Sequence, residues 1–228
     1  MLKNQRSKTP TSEPRQVSFF LPELTGELPL SISKDIPELE EGSQSLKSIK
    51  HLEHLLIHYE WTHEVQKDWF QLKYFSQVDS AIYIQLNFKE TLPSELILKV
   101  LNEPEHRLLW DTSYTEIKLL AGSSLLDAKL QTTKKGAKTP AEVTRVVRLY
   151  KGALVVMNFA DLNPQEEDWV KGSKSVLGFF VWQNSNNTLI EMVVQDTQIP
   201  DIKNEAKKAK QWIAKFYQEL LSLVPINQ

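Results

Sequence analysis

A histidine and an aspartate lie close together in the segment from residue 103 to residue 114, EPEHRLLWDTSY. His106 and Asp111 could act as an acid and base pair, because an imidazole and a carboxylate can exchange a proton. They are five residues apart across the end of a predicted helix, however, so their side chains need not face each other. We therefore do not predict catalysis at this segment.

The same segment has the features of a short helix that ends in a turn. Pro104 suits the first helical position, where its missing N–H group costs nothing. Leu108, Leu109 and Trp110 are predicted to anchor the helix in the core, and Asp111 begins a turn into the next strand.

Three histidines lie close together in a second predicted helix, SLKSIKHLEHLLIHYE, from residue 45 to residue 60. Its apolar positions recur at helical spacing and are Leu46, Ile49, Leu52, Leu56 and Tyr59. His51, His54 and His58 lie beside that apolar stripe, and a metal site would need a further ligand such as His63. No HExxH, GxSxG or glycine-rich phosphate motif occurs. The sequence thus predicts no metal, no cofactor and no enzymatic activity.

Composition indicates a globular protein. The chain has 228 residues, of which 41% are hydrophobic, and this is enough for a buried core. A net charge of −2 provides no general attraction to nucleic acid. The absence of cysteine excludes disulfides, thiolate catalysis and a cysteine-ligated zinc, and it favours an intracellular location.

Residues 1–45 are predicted to form an extended arm. Five prolines interrupt any regular helix or central strand there. Composition alone also fits a disordered tail. Within the arm, Val17, Phe19, Phe20 and Leu21 form an apolar segment of the kind that docks on another protein chain.

Most of residues 46–228 shows the two-residue period of antiparallel strands. The predicted strands are 68–75, 81–88, 114–120, 124–132, 142–150, 153–160, 174–182 and 188–196. A short helix from LPSELILKVLN, with Ser94 or Thr91 as its N-cap, lies before the Pro104 helix. We expect an α+β domain with one curled antiparallel sheet of about eight or nine strands.

The last predicted element is a long amphipathic helix that begins after Asp201, its expected N-cap. Its apolar positions are Ile202, Ala206, Ala209, Ile213, Phe216, Leu220 and Leu223. Such a stripe needs a large apolar partner, and the concave face of the curled sheet is the nearest one. The helix is therefore predicted to lie across the sheet.

The order of these elements resembles that of the START family of lipid-transfer domains, whose sheet grips a C-terminal helix. EPEHRLLWDTSYTEIKLL looks like the family's short helix that ends in Trp-Asp, and TPAEVTRVVRLYKGALVV looks like its Pro-Arg-Asp-Phe-Val strand and hairpin. VLGFFVWQ, TLIEMVVQDTQIP and AKKAKQWIAKFYQELL resemble the later strands and the C-terminal helix. The resemblance implies a helix-grip fold over roughly residues 50–224 and an apolar tunnel for a lipid.

We therefore predict a domain that binds a sterol, a phospholipid or a fatty-acid-like ligand under the C-terminal helix. The residues expected to line that space are Arg145, Val147, Met157, Phe180, Trp182, Glu191, Ile213 and Phe216. Arg145 and Glu191 interrupt apolar strand faces, so each either points outward to solvent or is paired inside the tunnel. The outward orientation is favoured for charged residues in general.

A second hypothesis is a non-catalytic structural subunit of a large cytoskeletal, ciliary or organellar assembly. In that case the body is filled by its own large side chains and the arm of residues 1–45 docks on other chains.

Lys203, Lys207, Lys208 and Lys210 are expected either to be solvated or to contact a membrane surface. A cytoplasmic location is expected, with a cytoskeletal or ciliary one as its more specific form. A mitochondrial location is less favoured, because the basic start MLKNQRSK lacks an apolar helical face.

Overall fold

The architecture comes from a computed structural model of the chain. It describes residues 36–224 apart from positions 38, 42, 59, 76–79, 122–123, 125, 161–174 and 197–200. The predicted docking residues Val17, Phe19, Phe20 and Leu21 lie outside the described residues. The elements are α1 (Gln44–His58), β1 (Thr62–Lys67), β2 (Phe70–Phe75), β3 (Ala81–Phe88), α2 (Ser94–Asn102), α3 (Pro104–Trp110), β4 (Tyr114–Leu119), β5 (Asp127–Lys134), β6 (Ala141–Tyr150), β7 (Ala153–Ala160), β8 (Ser175–Gln183), β9 (Thr188–Asp196) and α4 (Ile202–Leu223).

The nine described strands form a single curled antiparallel sheet in the order β1-β2-β3-β9-β8-β7-β6-β5-β4. Strands adjacent in the chain pair with each other, except that β3 turns away from β4 and pairs with β9. The long helix α4 packs on this sheet, so the predicted α+β helix-grip architecture is confirmed.

One strand was not predicted. The segment THEVQK forms β1 at the sheet edge, and most of its side chains are exposed or half-buried. An edge strand with solvent on much of its surface lacks the apolar alternation that identifies a strand in a sequence. The predicted strand 68–75 begins two residues later, at Phe70, because Asp68 and Trp69 form the turn between β1 and β2.

The inner face of the sheet is the one that α4 covers. The buried positions of α4 are Ile202, Ala206, Ala209, Ile213, Phe216 and Leu220, as the sequence predicted. They join a cluster with Ile84, Val156, Phe179 and Met192 of the sheet. The Asp201 carboxylate accepts a hydrogen bond from the Asn204 N–H at 3.0 Å, so the predicted N-cap of α4 is confirmed.

The outer face is covered by α1. Ile49, Leu52, Leu55 and Leu56 of this helix are buried in a second cluster with outward-facing residues of β7, β8 and β9. The closest approach is at Gly178, where an added Cβ atom would overlap the Leu52 side chain. Both faces of the central strands are therefore inside the protein, and residues 153–159 are all buried.

The chain before α1 also packs on the domain. Ile36 is only 6% exposed and belongs to the inner cluster, while Leu39 packs against the outer cluster. The Ser43 hydroxyl accepts a hydrogen bond from the Leu46 N–H at 3.3 Å and caps α1. Ile36 and Leu39 thus contribute to the core, although the sequence assigned them to the arm.

The N-cap predicted for α2 is wrong. Pro93 occupies that position, and no side chain caps the helix. The Ser94 hydroxyl donates to Gln183 Oε1 at 2.5 Å, and the Thr91 hydroxyl donates to the Asn184 carbonyl at 2.6 Å. Both hydroxyls bond to residues at or just after the end of β8. These partners are distant in sequence, so a capping rule based on neighbouring residues does not predict them.

Helix α3 begins at Pro104, as predicted, and Trp110 anchors it. Trp110 is 1% exposed, and its Nε1–H donates to the Val100 carbonyl at 3.0 Å. The prediction that Leu109 is in the core is wrong, because this side chain is 58% exposed. The helix buries Arg107 and Trp110, which are three residues apart, and Leu109 lies on the other side.

Candidate functional site

A polar group interrupts the apolar inner face of the sheet at β6 and β7. Arg145 is 1% exposed and shares the inner face with Val143 and Val147, since side chains alternate along a strand. Val147 belongs to the main inner cluster, and Val143 belongs to a smaller one with Ile117 and Leu130. Arg145 therefore places a guanidinium between two apolar regions and points inward, so the outward orientation favoured from the sequence is wrong for this residue.

The guanidinium has only part of its hydrogen bonding met. Its Nε donates to Asn158 Oδ1 at 3.0 Å, directly across from it on β7, and Nη1 donates to the Asn102 carbonyl at the end of α2. Among the described residues, Arg145 Nη2 and Asn158 Nδ2 are buried without a hydrogen-bond partner. Two donor groups are thus buried beside the end of α2 without an acceptor among the described residues.

A second buried arginine lies near this site. Arg107 Nη2 is 3.2 Å from Asp111 Oδ2, and the guanidinium also lies over the Tyr114 ring at 5.5 Å. Burial lowers the pKa of Arg145 to about 9, and repulsion from Arg107 acts in the same direction. Asp111 neutralises Arg107, whereas no ion pair with a carboxylate is found for Arg145 in the described part of the chain. Arg145 remains charged at neutral pH because its lowered pKa is still above 7.

The predicted residue Glu191 lies on the outer face of the sheet and is only half-buried. Its carboxylate accepts hydrogen bonds from the Tyr83 hydroxyl at 2.7 Å and from Trp182 Nε1 at 2.8 Å. Burial raises the pKa of Glu191, although these hydrogen bonds and the Lys73 charge oppose the rise. Burial and the neighbouring Glu191 also raise the pKa of Tyr83. Glu191 therefore points outward but is held by side chains of the sheet.

The structure divides the eight residues that were predicted to line one ligand space. Arg145 and Val147 are on the inner face of the sheet, and Ile213 and Phe216 are on the buried side of α4. Those on the outer face are Met157, Phe180, Trp182 and Glu191, of which the first three belong to the cluster under α1 and Glu191 bonds to it. The sheet separates the two groups, so the four outer-face residues cannot contribute to a site on the inner face.

The histidines have other partners than those considered in the sequence. His106 Nδ1 is 2.7 Å from Glu219 of α4 and does not pair with Asp111, whose carboxylate binds Arg107 and Ser113. His51 bonds to Gln195 of β9 at 2.9 Å. Among the described residues, no group of three histidine, cysteine or acidic side chains is arranged to hold a metal ion. No described helix is both long enough and apolar enough to cross a membrane.

Asn102, Arg107 and Asn158 were not identified from the sequence as parts of this site. Asn158 lies in the apolar strand ALVVMNFA, and one polar residue on the inner register of such a strand is the only local signal. Asn102 contributes its backbone carbonyl to this site. Every residue has such a group, so the sequence gives no signal for this contact.

A curled antiparallel sheet that grips a C-terminal helix is a START-like fold, and solved structures of this class are similar to the chain. Human STARD10 has a TM-score of 0.55 and 15% identity over 84% of this chain and 84% of its own. Human StAR-related lipid transfer protein 5 has a TM-score of 0.52 and 14% identity over 78% of this chain and 92% of its own. A STAR-related lipid transfer protein from Xanthomonas axonopodis has a TM-score of 0.55 and 9% identity over 71% of this chain and 98% of that fragment. At these identities the similarity establishes the fold.

No protein-family model matches the sequence, and no curated protein matches it either.

Proposed function

We propose that the protein is a non-catalytic lipid-binding domain whose ligand carries a phosphate or carboxylate group. The observation that carries this proposal is the buried cation of Arg145, which has an unsatisfied donor and no carboxylate partner among the described residues. Two of the similar proteins, one human and one bacterial, are lipid transfer proteins by name and share this fold. The ligand would lie between α4 and the inner face of the sheet.

The chemistry of the inner face favours an anionic lipid over a neutral sterol. A buried charge without a partner is costly, so an anion that binds there regains interaction energy that the empty site lacks. A guanidinium also suits phosphate and carboxylate oxygens, because its N–H groups match their geometry. Val147 of the sheet and Ile213 and Phe216 of α4 belong to one apolar cluster and would contact the hydrocarbon, at about 0.8 kcal/mol for each buried methylene.

A structural role without a ligand is the second candidate, and one observation favours it. Trp110 packs edge-on against Phe216 at 5.0 Å and against Phe179 at 6.3 Å between ring centroids. Trp212 lies 5.8 Å from the same tryptophan. These rings fill much of the region where α3 and α4 meet the sheet, as they would in a solid core. Docking of other chains through Val17 to Leu21, and a cytoskeletal or ciliary location, remain predictions from the sequence.

Native mass spectrometry after exposure to mixed vesicles would separate the two candidates. The vesicles would contain phosphatidylcholine, phosphatidylglycerol and cholesterol, and bound lipid would be extracted and identified. We expect one phospholipid per protein, lost in Arg145→Met. Arg148→Met is a suitable control, because Arg148 lies on the same strand but pairs with Asp127 at 2.8 Å away from the inner face.

Three results would contradict the lipid-binding proposal. They are a protein that stays lipid-free under these conditions, a bound sterol in place of a phospholipid, and unchanged phospholipid in Arg145→Met. The first result would support the structural role, and the other two would remove Arg145 as the anchor.

A further inference from the structure

One side of α4, next to its buried stripe, has a distinct distribution of charge and apolar groups. Its positions recur at spacings of four and three residues and are Lys203, Lys207, Lys210, Ala214, Tyr217 and Leu221. Lysines therefore occupy the first half of this side, and apolar groups occupy the second half. Lys203 and Lys207 are exposed, and Leu221 is 40% exposed.

An aromatic row extends the apolar half onto the turn between β1 and β2. Phe88 is buried and stacks on Tyr217 with a centroid distance of 5.3 Å. Tyr217 in turn lies 5.5 Å from Trp69, which is 43% exposed. The row thus connects Trp69 at the surface to Phe88 in the core.

Charges of both signs surround this row, and the exposed lysines Lys203 and Lys207 are on the first half of α4. Lys67 Nζ is 6.0 Å from the Trp69 ring centroid, and Lys210 is bound by Glu64 of β1 at 3.0 Å. Asp68, beside Trp69, is an exposed carboxylate in the same area. Lys203 and Lys207 have no carboxylate partner among the described residues, while the chain as a whole has a net charge of −2.

We propose that this basic-aromatic face, formed by Trp69, Lys203, Lys207, Lys210, Tyr217 and Leu221, docks on the surface of a membrane that contains anionic lipid. Tryptophan and tyrosine rings sit favourably at the boundary between headgroups and hydrocarbon, where one end of the ring is wet. Lysines beside them are attracted by anionic headgroups, and this attraction is worth about a fivefold change in binding for each cation. The long axis of α4 would lie along the membrane surface.

This docking would bring the space under α4 next to a source of lipid, and in that respect it rests on the proposed function. The binding of vesicles can nevertheless be measured without any knowledge of a bound ligand. The two proposals can therefore fail separately.

Sedimentation of the full chain with vesicles tests the face directly. Vesicles of phosphatidylcholine alone would be compared with vesicles in which about one quarter of the lipid is phosphatidylserine. We expect binding to the second kind only, and weaker binding as salt screens the lysines. The double variant Lys203→Glu/Lys207→Glu should lower the partition coefficient roughly tenfold or more.

Helix α1 offers matched controls, because it lies on the opposite face of the sheet. Lys47→Glu/Lys50→Glu changes the same net charge on exposed positions of α1, and Ile57→Ser removes a 48% exposed apolar group there. Both should bind vesicles like the unsubstituted chain. Trp69→Ser should lose binding. Trp69→Phe keeps an aromatic ring but removes one tryptophan, so the quenching by brominated lipid that is missing in this variant can be assigned to Trp69.

Several outcomes would overturn the membrane proposal. Absence of vesicle binding by the unsubstituted protein would do so, as would equal loss of binding in the α1 controls. Self-association that disappears in Trp69→Ser, without vesicle binding, would show that a second copy covers the face. Extracted lipid from the same variants distinguishes the proposals, since loss of docking alone should leave a previously bound lipid in place.

Discussion

At the scale of single residues, Glu191 shows how the sheet holds a charge outside its core. Its carboxylate accepts from Tyr83 and Trp182, and Lys73 lies above the Tyr83 ring at 5.1 Å. Burial nevertheless raises the pKa of Glu191 from its ordinary value of 4.5, because desolvation outweighs these favourable contacts. Ionisation of Glu191 therefore opposes folding to some extent.

This rise in pKa predicts a pH dependence of stability. A carboxyl group with a higher pKa in the folded state stabilises the fold below its unfolded pKa, and that contribution is lost as pH increases through the folded pKa. Glu191→Gln cannot ionise. We expect the variant to gain stability relative to the unsubstituted chain as pH increases from about 4 to about 7, as measured by urea unfolding at several pH values.

A second variant controls for the general effect of removing a carboxylate. Glu142→Gln changes an exposed glutamate of β6 and should not reproduce that trend. A constant difference between Glu191→Gln and the unsubstituted chain across this pH range would contradict the prediction.

Sequence reasoning placed Arg145 among candidate ligand residues but could not decide which face it shares with the others. Strand periodicity assigns alternate residues to opposite faces without saying which face meets α4. Here α1 covers the outer face, so both faces of β7 and β8 are apolar. Met157 and Phe180 consequently have the same apolar character as inner-face residues, and sequence could not separate them.

At the scale of elements, the contact between α1 and β8 depends on one glycine. Gly178 lets the end of the Leu52 side chain approach the backbone of β8 so closely that an added Cβ atom would require Leu52 to move. Leu52 is fully buried, so it has little freedom to move aside.

A double-mutant cycle would measure this contact. Gly178→Ala should lower the free energy of unfolding by about 1 to 3 kcal/mol, because the added methyl group overpacks the site. Leu52→Ala alone should cost about 2 to 5 kcal/mol, because it leaves a cavity. The double variant should lose less than the sum of the two, since the new methyl group occupies part of that cavity.

The same cycle with Leu55→Ala provides the control. Leu55 is buried on the same helix, but its side chain is not among the atoms nearest to Gly178. The loss of unfolding free energy in Leu55→Ala should add to the loss in Gly178→Ala. Additive losses in the Leu52 cycle as well would show that the close approach has no energetic importance.

The elements that were predicted and those that were missed differ in their dependence on distant partners. Strands β3, β7 and β9 match their predicted bounds, because alternating or continuous apolar residues define them locally. Strand β1 lacks that pattern, and its strand conformation comes from pairing with β2. The hydroxyls of Thr91 and Ser94 bond across the fold and so leave α2 without the expected cap.

At the scale of the whole molecule, the helix-grip fold was predictable because its signals are distributed in order along the chain. The N-terminal limit of the domain was less predictable. Ile36 and Leu39 lie in a proline-rich region with no periodic pattern, yet both pack on the body. An isolated apolar residue that docks on a distant surface leaves no periodic signal in a sequence.

Two shortened chains would define that limit. A chain of residues 36–228 keeps Ile36 and Ser43, whereas a chain of residues 46–228 loses both. We expect the shorter chain to be less stable by about 2 to 4 kcal/mol, from the burial of one isoleucine and the loss of a helix cap. Equal urea midpoints would place the limit of the domain after residue 45.

The pairing of β3 with β9 has a consequence for synthesis of the chain on the ribosome. Ala81 pairs with Gln195 and Phe88 pairs with Thr188, so the partner of β3 is made about a hundred residues later. At roughly 5 to 20 residues per second, β3 would wait on the order of 5 to 20 s for that partner. Its apolar edge is unpaired during that interval, and protection of the nascent chain is most needed there.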